Sequence, residues 1–205
     1  MESSQMESNS VLSVDVLQVG EHSDMLVSAA GVQRALDAFA ARIAADLAAA
    51  NPLLICVMNG GLFTTSELAR RLAFPLQMDY LQVSRYGAAV QGSQLKWLSR
   101  PQTPLIGRTV LLTDDILDRG ETLAAVCAWC REAGAARVLS AVLVDKQVAT
   151  QRAVRADYVA ITCPDRYLYG CGMDYRGYWR NLPAIYGVRE DYLQALEAAR
   201  AVAAT

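Results

Sequence analysis

The feature that most constrains this chain is the stretch VLLTDDILDRGETL, Val110 to Leu123. Four apolar or small residues, Val110 to Thr113, run into Asp114 and Asp115. Ile116 and Leu117 separate these from a third carboxylate, Asp118, and Arg119, Gly120, Glu121 and Thr122 follow before a helical pattern sets in. A short β-rich run ending in acids reads as a buried parallel strand that delivers charge at its carboxyl end. In open α/β sheets ligands bind at that edge. Gly120 and Thr122 at the helix start offer free backbone N–H groups, the positive end of the helix dipole and a hydroxyl, which together make an anion cradle. One turn therefore presents carboxylates to one part of a ligand and a phosphate pocket to another. A sugar phosphate needs both: its hydroxyls donate to Asp114 and Asp115 while its phosphate takes the loop. The alternative, a solvated acidic turn, leaves three mutually repelling carboxylates without a use.

The flanking chain supplies the sheet this strand requires. Val32, Leu36, Phe39, Ile43 and Leu47 recur at helical spacing and predict a helix over about 31–50, ended by Asn51-Pro52. Leu53 to Met58 is a second continuous apolar run, expected as a buried parallel strand. It leads into Asn59-Gly60-Gly61, whose glycines allow a backbone to approach a phosphate closely. A helix is expected to follow to about Ala73, with Leu62, Leu68 and Leu72 inward. Pro75 to Ser84 reads as a third strand, and Arg137 to Val144 and Asp157 to Ile161 as further ones. Arg85 to Thr103 lacks periodicity and is long for a plain loop, the habit of a lid or flap, with Lys96-Trp97 suggesting a β-ribbon. Val11 to Val19 alternates weakly and is expected as a short strand, and a last helix spans about 189–203 with Leu193 and Leu196 inward. Strands alternating with helices give a mostly parallel sheet covered on its faces. From Asp145 the chain turns aromatic and turn-rich.

Composition excludes several classes. At 205 residues and 53% hydrophobic, the chain suffices for one domain with a sizeable core. A net charge of −2, with 19 basic against 21 acidic residues, gives no basic face for nucleic acid. No apolar run approaches the roughly 18 residues of a membrane span. The first ten residues carry no basic and apolar leader and read as a flexible tail of a cytoplasmic protein. Five cysteines without such a leader are expected as reduced thiols, and Cys127 and Cys130, three apart in a predicted helix, as buried structural ones. The lone histidine, His22, leaves histidine-based nucleophilic catalysis without a placed base.

The acidic stretch closely resembles the phosphoribosyl pyrophosphate (PRPP) signature of the type I phosphoribosyltransferases: an apolar strand, two acids, two apolar residues, an acid, then Gly and Thr. Three further blocks resemble the hypoxanthine-guanine branch: LQMDYLQVSRYG, VLVDK, and ADYVAITCPDRYLYGCGMDYRGYWRNLP from Ala156 to Pro183. The resemblance implies a Rossmann-like α/β core of about five mostly parallel strands flanked by helices, with a small hood. On that basis residues 11–205 form one domain: core about 31–146, hood about 11–30 and 147–188, and the C-terminal helix. It implies hypoxanthine or guanine plus PRPP giving IMP or GMP plus pyrophosphate, with Mg²⁺ as cofactor and a homodimer or homotetramer as the assembly.

Site roles follow from the same resemblance. Asp114 and Asp115 bind ribose hydroxyls and help organise Mg²⁺, partly through substrate and water. Asp118 exchanges a proton at purine N7, and Arg119, Gly120, Glu121 and Thr122 hold the 5′-phosphate. Asn59 and Gly60 form the pyrophosphate loop, and Arg180 contacts pyrophosphate. Lys146, just past a strand end, bonds the 6-oxo group; Tyr167 stacks on the base and the Leu168 backbone reads its edge. Asp174 stands at the purine pocket as a Mg²⁺ carboxylate. Tyr175, Tyr178 and Trp179 are expected in the hood core. Two positions depart from the pattern: Asn59 stands where a lysine is usual, and the flexible loop opens Arg85-Tyr86 in place of Ser-Tyr. Arg85 is expected to supply the charge missing at Asn59. The competing class is a nucleotide-sensing regulator of the same fold, which would keep the PRPP motif but need a basic surface.

Overall fold

A computed structural model describes residues 13–85 and 95–203. Its centre is a six-stranded sheet in the order β4-β3-β2-β5-β6-β7. These strands are β2 Leu53–Met58, β3 Gln77–Arg85, β4 Leu95–Ser99, β5 Thr109–Leu117, β6 Arg137–Gln147 and β7 Tyr158–Pro164. Five run parallel, and β4 closes one edge as an antiparallel hairpin partner of β3. That hairpin is the ribbon suggested by Lys96-Trp97, and Trp97 rests on Trp129.

Helices cover both faces. Against one face lie α2, Ala29–Leu47, and α3, Leu62–Ala69; against the other lies α4, Glu121–Glu132. All five spaced residues of α2, Val32, Leu36, Phe39, Ile43 and Leu47, are fully buried. Ser28 caps the helix, its hydroxyl accepting from the Gly31 amide at 3.2 Å. Each buried strand serves both sides: Leu54 faces the α2 core, and Leu53, Ile55 and Val57 face the α4 core. Cys127 and Cys130 are buried on α4, and all five cysteines are free. Burial pushes the Cys130 thiol up to about 12, the behaviour of a protonated, buried structural thiol.

A second, three-stranded antiparallel sheet has the order β1-β9-β8, from β1 Ser23–Val27, β8 Leu168–Tyr169 and β9 Ile185–Val188. It joins the two ends of the chain. Its small core holds Val16, Val19, Tyr169, Tyr175 and Val188. The closing helix α5, Glu190–Ala203, lays Leu193 against it. No helix among the described residues is long and apolar enough to cross a membrane.

The structure corrects several expectations. The segment expected as a strand from Val11 is helical where described: α1, Val14–Gln18, then a 3₁₀ turn to His22. Val16 and Val19, three apart, point inward together, which strand alternation forbids. The indole N–H of Trp179 also donates to the Val16 carbonyl at 2.8 Å. Helix α3 stops at Ala69, short of Ala73. Leu62 opens it 55% exposed, while Leu68 and Leu72 are buried as expected. Strand β5 runs on through the acids to Leu117, and β6 runs to Gln147, so Lys146 lies inside it. Because β7 pairs with β6, the core sheet reaches Pro164, beyond the boundary expected near residue 146. Tyr175 is buried and Trp179 packs on the small core, but Tyr178 is 40% exposed.

Candidate active site

The chain leaves β2 for β3 on one side of the sheet and later returns to β5 on the other. Order therefore reverses between β2 and β5, and at that reversal the loops leaving the two strands part and open a crevice. From β2 comes Asn59-Gly60, joined to Met58 by a cis peptide. From β5 come Asp114, Asp115 and Asp118. Gly120 follows at φ 80° as the N-cap of α4, and Thr122 stands in the helix's first turn.

A cavity of about 320 Å³ fills the crevice. Its floor is Asp114, Asp115 and Asp118; Arg119, Gly120 and Thr122 line one side, and Asn59 and Gly60 another. Asp174 and Arg180 reach in from the aromatic C-terminal segment. A second cavity of about 310 Å³ adjoins it and shares Asp115, Ile116, Asp118 and Asp174. Its further lining is Lys146, Arg166, Tyr167, Leu168 and Met173. Tyr167 is 39% exposed, with its ring edge-on to Tyr175.

The packing at this edge is tight. A Cβ on Gly60 would lie 2.0 Å from Asp115 Oδ2, and a Cβ on Gly172 would lie 2.2 Å from the Gly60 carbonyl oxygen. The C-terminal segment thus presses on the Asn59-Gly60 loop, which presses on Asp115. Below them the Thr65 and Thr113 hydroxyls meet at 2.5 Å, and Thr65 donates to the Gly61 carbonyl at 2.7 Å.

Electrostatically the first cavity holds an excess of negative charge. Burial, and after it the neighbouring Asp115, hold the Asp114 carboxyl well above the usual carboxylate range; burial raises Asp115 too. Arg180 is the nearest partial remedy. Its Nη2 pairs with Asp174 Oδ1 at 2.5 Å, its Nη1 donates to the Gly172 carbonyl at 2.7 Å, and that same nitrogen lies 3.8 Å from Asp115 Oδ2. The Gly177 amide donates to Asp174 Oδ2 at 2.6 Å. Both Asp174 oxygens are therefore engaged within the protein. No group of three or more acidic, histidine or cysteine side chains among the described residues is arranged to hold a metal ion. The donor chemistry nevertheless suits a hard cation. Buried carboxylates lacking countercharge accept an ion that brings most of its other ligands from water and substrate, which is the habit of Mg²⁺.

Most residues singled out in the sequence converge here. Glu121 does not line either cavity; it lies exposed in the first turn of α4. Arg85 ends β3, but its side chain and all of Tyr86 lie outside the described residues, as do residues 1–10. Arg166, Met173 and Ile116 belong to the second cavity and were not anticipated. Arg166 adjoins Tyr167 in sequence, a signal that adjacency offered; Met173 and Ile116 carry no chemical signature.

Fold and site define a doubly wound α/β protein with a ligand crevice at the carboxyl edge of its sheet. The model of the phosphoribosyl transferase domain family matches residues 22–176. The hypoxanthine-guanine phosphoribosyltransferase of Streptococcus pneumoniae is 32% identical over 168 residues, covering 82% of this chain and 93% of the relative. That of Bacillus subtilis is 30% identical over 162 residues, covering 78% and 90%. Among solved structures, the hypoxanthine phosphoribosyl transferase of Trypanosoma cruzi superposes with a TM-score of 0.78 at 28% identity, covering 85% of this chain and 95% of that one. The chain belongs to the phosphoribosyltransferases, in their hypoxanthine-guanine branch.

Proposed function

We propose that this protein salvages purines, joining hypoxanthine or guanine to the ribose of PRPP to give IMP or GMP and pyrophosphate. One observation carries the reading: Asp118 lines both cavities, so a sugar phosphate in the first and a base in the second meet beside one carboxylate. The relatives' names support the same activity.

Asp114 and Asp115 accept hydroxyls of the ribose, and their repulsion is relieved as they do so. The backbone amides from Gly120 through Glu121 to Thr122, with the Arg119 guanidinium and the Thr122 hydroxyl, hold the 5′-phosphate at the start of α4. Asn59, Gly60 and Arg180 face the pyrophosphate. Displacement at the anomeric carbon builds positive charge on the sugar, as in other glycosyl transfers, and the carboxylates beside it stabilise that charge. On the other side Lys146 donates to the 6-oxo group, Tyr167 stacks on the ring, the Leu168 backbone reads its edge, and Asp118 takes the proton at N7. Asp114, Asp115 and Asp174 would hold Mg²⁺ partly through water and substrate, and the bound ion would supply charge neutralisation for the leaving pyrophosphate.

In this reading residues 11–205 are one domain whose small sheet is the hood over the base pocket. The protein works in the cytoplasm as a homodimer or homotetramer. Leu62, Met78 and Tyr80, exposed around a groove between α3 and β3, give the assembly an apolar face.

The test is a spectrophotometric assay with PRPP, Mg²⁺ and each of hypoxanthine, guanine, xanthine and adenine. Nucleotide formed from a 6-oxopurine is the expected result. Binding of PRPP or nucleotide without turnover would instead identify a sensor of the same fold.

A further inference from the structure

Three neighbouring strand ends bring three charged side chains together. Asp118 follows β5, Lys146 sits in the last turn of pleat of β6, and Asp165 follows β7. Parallel register sets Leu117 beside Asp145 and Gln147 beside Pro164. The carboxyl edge therefore sets Asp118, Lys146 and Asp165 side by side across adjacent strands. Lys146 Nζ lies 3.4 Å from Asp118 Oδ1 and 3.0 Å from Asp165 Oδ1. The Lys146 side chain is only 15% exposed, while the two carboxylates are 49% and 51% exposed. Asp118 and Lys146 line the base pocket and Asp165 does not.

We propose that Asp165 is a positioning residue: it holds the Lys146 ammonium toward the C6 side of the bound base and keeps it from closing onto Asp118. The inference rests on the purine-salvage reading above. On a 6-oxopurine the C6 oxygen and N7 lie side by side on one edge. Lys146 and Asp118 must therefore act side by side, one donating and one accepting. Left alone, an ammonium and a carboxylate at this separation satisfy each other, and both are then lost to the base. An ammonium has three donors. Asp165, the nearer partner, engages one of them and leaves Asp118 an acceptor for the N7 proton.

The residue after Asp165 is anchored on both sides. The backbone amide of the next residue, Arg166, donates to the Pro164 carbonyl at 2.9 Å. The Arg166 guanidinium then donates to the carbonyls of Gly187 at 2.5 Å and Val188 at 3.1 Å and pairs with Asp24 at 2.8 Å. Residue 165 is thus pinned between β7 and the small sheet. Half-exposed ion pairs are screened and add little to stability, so replacing Asp165 reports on the site and not on the fold.

The experiment is steady-state kinetics of the unmodified protein, Asp165→Asn and Asp165→Glu with PRPP and hypoxanthine, guanine or adenine. For Asp165→Asn the KM of both 6-oxopurines rises and the preference for hypoxanthine over adenine falls, each about tenfold, the scale of one charge-assisted hydrogen bond. The KM of PRPP stays within about twofold, and Asp165→Glu, which restores the carboxylate, recovers most of the loss. An Asp165→Asn enzyme matching the unmodified one, or one whose KM values for base and PRPP rise together, would overturn the positioning role alone. An unmodified protein that makes neither IMP nor GMP would overturn the function itself.

Discussion

Asp118 is half exposed at the junction of the two cavities, and among the described residues its ion-pair partner is Lys146. An acid in that position can reach a proton at the base edge while the sugar's positive charge develops alongside. Asp118→Asn keeps the shape and removes the basicity, so turnover should fall by roughly 10²-fold or more, the usual range for general acid–base groups. PRPP affinity should barely move, because the amides at Gly120 remain. Single-turnover kinetics with parallel calorimetry separate the two effects, and a variant with near-normal turnover would remove Asp118 from the chemistry. By the same kind of argument Lys146 should decide base choice. Its ammonium donates and cannot accept, so facing the 6-amino group of adenine it loses a bond after desolvation. Adenine should be a very poor substrate. Lys146→Gln should narrow the gap, because an amide also accepts; an unaltered preference ratio in competition assays would contradict this.

At the scale of elements, three segments distant in sequence are stacked on one carboxylate. The turn after β8 reaches Gly172, Gly172 packs on the Gly60 carbonyl, and Gly60 packs on Asp115. Gly172 also has φ 101°, a conformation that L side chains rarely adopt. Gly172→Ala should therefore displace the Asn59-Gly60 loop and raise the KM of PRPP by about tenfold or more, while the KM of hypoxanthine changes less. Equal effects on both substrates would mean that the segment works only through overall stability. Arg85 adds an element-level question of charge. The usual lysine is replaced by Asn59, and Arg119 and Arg180 are the arginines that line the first cavity. If Arg85 also serves there, Arg85→Ala should weaken PRPP binding well beyond Arg100→Ala, whose guanidinium instead lies over Trp97. Small, equal effects would leave Arg119 and Arg180 as the site's cations.

For the whole molecule, the acidic pair makes stability depend on pH and ligand. The Asp114 and Asp115 carboxyls are held above their ordinary value of 3.8 in the folded protein, chiefly by burial. Over the window from 3.8 up to the raised values the folded state keeps protons that the unfolded chain has released. This contribution is fully present below 3.8 and is lost as pH rises through the raised values. Asp79 works the other way: although burial opposes it, amides led by that of Thr103 hold its carboxyl low, so its contribution is lost on acidification. The double variant Asp114→Asn, Asp115→Asn should therefore melt higher than the unmodified protein at neutral pH, by about 2–4 °C for each kcal/mol of strain relieved. It should also lose affinity for Mg²⁺–PRPP. Scanning calorimetry across a pH series, with and without Mg²⁺–PRPP, tests both; a lower melting temperature at neutral pH would contradict the assignment of strain to this pair.

The sequence by itself determined whatever local pattern dictates. Helical spacing from Val32 to Leu47 marked α2, continuous apolar runs marked β2 and β5, and the order of acids, Gly and Thr marked the crevice, because these signals lie within one element and its turn. It misjudged the segment at Val14, where mixed residues alternate weakly and only packing of Val16 and Val19 on Tyr169 and Tyr175 selects a helix. It stopped β5 and β6 early, because charged residues at strand ends look like loop until the neighbouring strand's hydrogen bonds are known. Only the tertiary structure decided that β7 closes the main sheet, that Gly172 sits on Gly60, and that Asp165 stands against Lys146. Each of these depends on which strands lie side by side, and pairing between distant segments leaves no periodicity in the chain.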